Sequence, residues 1–238
     1  MNKAPAITAL CCILLVAPGG TLHALPTDNA VRAMQRGDFV LAQKELRPLV
    51  AKNDPNAQFL MGMLYDEGNG VPQDRAIAAS WYRRAAEQDH LAAQLFLGIL
   101  YHSGDGVEKD YKKAAHWLEG PANDGNDQAQ FYLGSMYAEG NGVRKDETRA
   151  IDLLSKAATQ RNTRAMGLLA VRLFSRNRNE QDLIDAYAWS HLAAEYDPIQ
   201  ATTSARAVIA KYCNDKQVKA AKKSMAERKK QWAAAPGR

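Results

Sequence analysis

Nucleophilic, acid–base and metal chemistry each require particular side chains at particular spacings, and the 238-residue chain offers few of them. A serine nucleophile would stand in G-x-S-x-G or S-x-x-K. Neither occurs, and the nearest approach, L-G-S-M-Y around Ser135, reads as a helix segment. The five histidines, His23, His90, His102, His116 and His191, make no H-E-x-x-H and no group with cysteine at zinc spacing, so no metal site is expected. Glycine pairs at 68/70, 104/106 and 140/142 lack the third glycine and the preceding strand of a dinucleotide loop, and read as turns. Glu67 and Glu139 precede two of those turns, and paired carboxylates can do acid–base work when held close. No catalytic residue and no cofactor is assigned.

Composition agrees with a folded, non-membrane body: 46% hydrophobic and 24% charged. Residues 1–24 place one charge, Lys3, before the apolar run AITALCCILLVA and then the helix breakers PGG, the layout of a secretory signal peptide cut after Ala24. The run is shorter than the 18 to 20 residues, roughly, of a membrane span. The mature chain is therefore expected to be periplasmic or secreted, to keep Cys213 alone of three cysteines, and to have no transmembrane segment. The net charge of +5 hides a split. Residues 25–198 carry 20 Lys and Arg against 24 Asp and Glu, whereas residues 199–238 carry 10 against 2.

What must position any site is a repeat of 36 residues. Gly62, Gly98 and Gly134 align, as do Tyr65, Tyr101 and Tyr137, the glycine pairs, and Val71, Val107 and Val143. Each copy reads as two helices. In the first, Ala57, Met61, Leu64 and Tyr65 share a face, with Gly62 allowing a close approach. Asp74, Asp110 and Asp146 stand where the second helix needs an N-cap, and Ala78, Trp81 and Ala85 space its apolar face. Copies span 54–89, 90–125 and 126–161, with a degenerate fourth at 162–196 that shows Arg176 and Arg178 in place of the glycine pair. A half-copy at 25–53 precedes them. Gly120 and Pro121 predict a kink in copy two. Two repeat lengths separate Glu67 from Glu139, which reads them as surface charges.

These columns, L-G-x-x-Y, G-x-G-V, D-x-x-x-A, the tryptophan column and the A-A pair, resemble the Sel1-like repeat, a relative of the tetratricopeptide repeat, over about residues 54–196. The resemblance implies an all-α fold, a right-handed α/α superhelical solenoid, and a role as an adaptor for protein complexes, many in bacterial envelopes. First helices would line a concave groove, with binding residues one step round from the packing face. Counting along them selects Leu60, Met63, Phe96, Ile99, Tyr132 and Ser135. The alternative for that strip is packing inside a tight superhelix. The tail, 197–238, reads as a basic helical cap whose Lys219, Lys222, Lys223, Lys229 and Lys230 form a solvated outer face, or one that docks on an anionic surface.

The function so implied is an exported, non-enzymatic adaptor that binds a protein or peptide of the cell envelope, with no nucleic-acid partner. Binding of peptidoglycan or another envelope polymer is the alternative within binding modules. A β-lactam-binding or β-lactam-hydrolysing enzyme, like Cys-rich relatives, is the alternative of another class, and this chain lacks the disulfide in each repeat that those relatives use.

Overall fold

Short apolar stripes cut by glycine turns leave the chain one way to bury them, helix against helix. The computed structural model describes residues 26–176, 179–197 and 203–234. These contain twelve α-helices and no strand. The segment read as a signal peptide, 1–24, and Arg178 lie outside the described residues.

Two compact units divide after Asp110. The first holds α1 (Asp28–Gln35), α2 (Phe39–Ala51), α3 (Pro55–Glu67), α4 (Arg75–Ala86) and α5 (Leu91–Ser103). The second holds α6 (Tyr111–Asn123), α7 (Asp127–Glu139), α8 (Glu147–Thr159), α9 (Thr163–Arg176), α10 (Glu180–Tyr196), α11 (Thr203–Tyr212) and α12 (Asp215–Ala234). Inside each unit a helix packs mainly on its successor, the arrangement of an α/α solenoid. The half-copy at 25–53 has both helices, because α1, only eight residues long, buries Ala30, Ala33 and Met34 ahead of α2. The kink expected at Pro121 does not break α6, which runs unbroken to Asn123. Pro121 has no N–H to offer the Trp117 carbonyl, and the helix runs only two residues beyond it.

Caps fix where the helices start. Asp74 accepts from the N–H groups of Ala76 and Ile77 at 2.9 Å, and Asp146 from Arg149 at 3.0 Å. Asp54, Asn126 and Asn162 do the same for first helices. In copy two that position is His90, whose Nδ1 accepts from Ala93 N–H at 3.1 Å. Each turn is tied back by one backbone bond, from Asp74 to the Tyr65 carbonyl, from Asp110 to Tyr101 and from Asp146 to Tyr137, all 2.9 Å.

The second glycine of each pair is a joint between copies. A Cβ on Gly106 would lie 2.4 Å from the backbone of Arg75, and one on Gly142 2.3 Å from that of Tyr111. Both residues also have φ near +70°. Gly62 serves the approach within a hairpin, but the side chain that fills it is Tyr82, not its neighbour Trp81: a Cβ on Gly62 would sit 2.5 Å from the Tyr82 ring. Leu154 takes the same place against Gly134. Trp81 is half-buried with the Arg84 guanidinium 4.6 Å above its ring.

Copy four builds its turn from charge instead of glycine. Asp182, buried, is gripped by Arg176 at 2.7 and 3.2 Å and by Asn179 Nδ2 at 2.8 Å, and Asn179 caps α10. The tail helices α11 and α12 both pack on α10. Trp232 is buried there beside Trp189 and Tyr196, its Nε1–H donating to the Thr159 carbonyl at 2.6 Å.

Gly142→Ala combines a left-handed strain with backbone overlap, and should cost about 3 kcal/mol. Gly125 also has positive φ, but nothing lies within 4 Å of its added Cβ, so Gly125→Ala should cost only about 1 kcal/mol in urea unfolding. His90 caps only while neutral, and burial lowers its pKa below the usual histidine value, against a smaller opposing pull from Asp54. Its contribution is full above about pH 6.5 and is lost as pH falls through the depressed folded value. His90→Asn, which caps at any pH, should therefore lose less stability than wild type between pH 7.5 and 5.0, read by urea unfolding at each pH.

Candidate functional site

The strip expected to line a groove divides once the helices are packed. All residues from Ala57 to Leu64 are buried, because α3 is enclosed by neighbours on every side. Leu60, 1% exposed, and Met63, 5% exposed, are thereby core residues, and the expectation that they contact a partner is corrected. Phe96 and Ile99, on α5, are half-buried. Phe96 joins an aromatic group, 5.7 Å from Phe59 and 5.4 Å from Tyr82, with His90 stacked 4.8 Å from Phe59 on its other side. Ile99 is the strip residue of this unit left for contact.

In the second unit Tyr132 and Ser135 are half-buried on α7. Ser135 stands in the wall of a cleft of about 340 Å³, with Phe131 and Glu139 of the same helix and Arg164, Gly167, Leu168 and Val171 of α9 opposite. Tyr132 borders it through Arg164. The guanidinium lies 4.4 Å above the Phe131 ring and 5.3 Å from that of Tyr132, and Nη1 donates to the Tyr132 hydroxyl at 3.3 Å. Arg164, Leu168 and Val171 fall one period after Gln128, Tyr132 and Ser135. Carrying the same count into the degenerate copy would have found them.

Each of the two carboxylates is engaged within its own turn. Glu67 accepts from Asn69 Nδ2 at 2.6 Å and Glu139 from Asn141 Nδ2 at 2.7 Å, each closing its own turn. Burial raises the Glu67 pKa, with the Asn69 bond opposing it and Asp66 adding to it. No group of three His, Cys, Asp or Glu side chains able to hold a metal occurs among the described residues. Cys213 is half-buried, its thiol directed at the Leu183 carbonyl and its pKa raised by burial.

The basic tail separates into two sets. Lys216, Arg228 and Lys229 pair with Glu180, Asp185 and Glu195 of α10, at 3.1, 2.9 and 2.5 Å, so Lys229 pins the helix and leaves the outer face. Gln217, Ala221 and Trp232 mark the buried side of α12. At 100° per residue Lys219, Lys222, Lys223 and Lys230 gather on the opposite side, all exposed.

Because Phe96 packs on two core rings, Phe96→Ala should destabilise by about 2 kcal/mol. Tyr132→Ala, at a half-buried ring that packs on the edge of the second core and bonds Arg164, should cost less than Phe96→Ala by the same urea titration.

A family model described as Sel1 repeat matches residues 55–90, 91–119 and 127–162. Among solved structures, a Sel1 repeat protein from Oxalobacter formigenes is 29% identical, with a TM-score of 0.63 over 70% of this chain and 69% of that one. A protective antigen present in uropathogenic Escherichia coli strains, displaying an SLR fold, is 28% identical, with a TM-score of 0.73 over 87% of this chain. The chain spans 48% of that antigen's length. A search of the curated proteins finds no match. With Tyr-backed turns, glycine joints and capped hairpins that recur at the matched positions, the chain carries three Sel1 repeats within residues 55–162.

Proposed function

We propose that the chain is an exported, non-enzymatic adaptor that holds a segment of a cell-envelope protein against its first helices. Sel1 repeat proteins generally mediate protein–protein interaction and are typically scaffolds without chemistry of their own. The cleft between α7 and α9 carries the reading: an apolar floor of Phe131, Leu168 and Val171, with Ser135, Glu139 and Arg164 at the polar rim. That is the composition by which a peptide is anchored and oriented. Export rests on the sequence of residues 1–24. No helix among the described residues is long and apolar enough to cross a membrane.

A second reading, binding to peptidoglycan or another anionic envelope surface, is favoured by the lysine face of α12. Lys219, Lys222 and Lys230 make no ion pair among the described residues, and Lys223 only a 4.0 Å one to Glu227.

Capture of tagged mature chain from a crosslinked periplasmic fraction, with an Ile99→Ala/Tyr132→Ala variant beside it, tests the adaptor. One envelope protein should be enriched by wild type and at least tenfold less by the variant. Sedimentation with purified sacculi that survives the double substitution, but is lost with Lys219, Lys222, Lys223 and Lys230 changed to Gln, would replace it by the polymer reading.

A further inference from the structure

The column that contains Gly167 is filled in the other copies. Phe59, Leu95 and Phe131 stand 108, 72 and 36 residues earlier, and all three are buried. In copy four the side chain is missing, and a Cβ built on Gly167 meets nothing within 4 Å. The backbone does not ask for glycine either, since Gly167 lies inside α9 and has no positive φ. A glycine inside a helix costs about 1 kcal/mol relative to alanine. What it leaves is space, the cleft of about 340 Å³, at the small end of the usual range for ligand sites.

Beside that space stands Arg164. Its guanidinium is held by the Phe131 ring at 4.4 Å and the Tyr132 ring at 5.3 Å, one hydrogen bond to the Tyr132 hydroxyl uses a single donor, and no carboxylate is within ion-pair distance among the described residues. A guanidinium restrained by two ring contacts and one hydrogen bond keeps donors free for a bidentate carboxylate, and loses less rotamer freedom on binding one. Glu139 and Asp197 also line the cleft and repel a carboxylate anywhere but at Arg164.

Resting on the adaptor reading, we propose that this cleft is a socket for one large apolar side chain of a partner peptide, entering where copy four lacks its own, with an acidic residue of the same peptide paired to Arg164. The partner supplies the side chain that the repeat omits.

A phage-displayed library of random 12-residue peptides, panned on the full chain, tests it. The enriched sequences should share a Leu, Ile, Met or Phe with Asp or Glu within four positions. A synthetic consensus peptide should bind Gly167→Phe and Arg164→Gln at least tenfold more weakly than wild type, while Arg164→Lys retains part of the affinity. Gly167→Met is the second filling variant, and thermal melts of all four should stay at or above wild type for the Gly167 changes. Peptides that bind Gly167→Phe and Gly167→Met as well as wild type overturn the socket and leave the adaptor intact. A consensus without an acid, or indifferent to Arg164→Gln, overturns the pairing. If no peptide is enriched although an envelope protein is captured, the socket fails alone; if neither is obtained, both readings fail.

Discussion

A helix of 13 residues with a narrow apolar stripe has no stability of its own in water, so each hairpin depends on how closely the next can approach. That approach is set at the second glycine of the turn. Gly70 meets the Cβ of Phe39 at 2.6 Å, and Gly106 and Gly142 meet the backbone at the first residues of α4 and α6, closer still. A turn of one copy is thus seated on the start of the second helix of the copy before it. Any side chain would push the two apart, and every column downstream that relies on the contact would shift with it. Buried polar groups follow the same register: Gln58 is satisfied by Asn53 and Gln88, and Gln130 by Ala122 and Gln160. Gln58 and Gln130, two periods apart, each accept from the equivalent glutamine, Gln88 or Gln160, while their own amides donate to different acceptors, the Asn53 side chain and the Ala122 carbonyl.

What was legible in the sequence is what repeats. The glycine turns, the Asp caps and the period are backbone requirements, and a backbone requirement restricts residue type enough to show as a column. Side-chain burial is set by neighbours that a single stripe does not reveal. Leu60 and Met63 count as one step off the packing face, yet α3 is covered on that step as well. Tyr82 and Trp81 differ by 100° around α4, and only the position of Gly62 decides which of them enters. The α1 helix escaped notice because eight residues and a plain Arg36–Gly37 turn carry too little of the pattern. Arg164 and Gly167 were hidden for the opposite reason: they lie in a copy whose departures make its alignment look like decay.

The tail shows how one charge run serves two ends. Three of its cations face the acidic residues of α10, where pairing and the Trp232 contacts fix α12 in place. Four lysines lie away from that side and repel one another across one helix face, so holding the buried side also holds this like-charged face together. Arg161 belongs to the holding set. It adopts φ 71°, in the column of Asn53, Asp89 and Gly125, and its guanidinium reaches the Trp232 carbonyl. A non-glycine there stores about 1 to 2 kcal/mol of strain, which the contact offsets.

Repetition explains the scaffold and, by the same logic, cannot explain selectivity. Identical columns give every copy the same face, and a partner that recognised only the common face would slide by one period. Register has to come from a position where the copies differ. Copy four differs most where it faces the cleft, with Gly167 for a buried hydrophobe and Arg164 where the earlier copies carry Asn56, Ala92 and Gln128. Neither change adds an apolar contact between helices, since one removes a side chain and the other sets a guanidinium over the Phe131 ring at the mouth of the cleft. Together they make one hole and one charge at a single place in the array, which is the least a repeat needs to fix a partner's register.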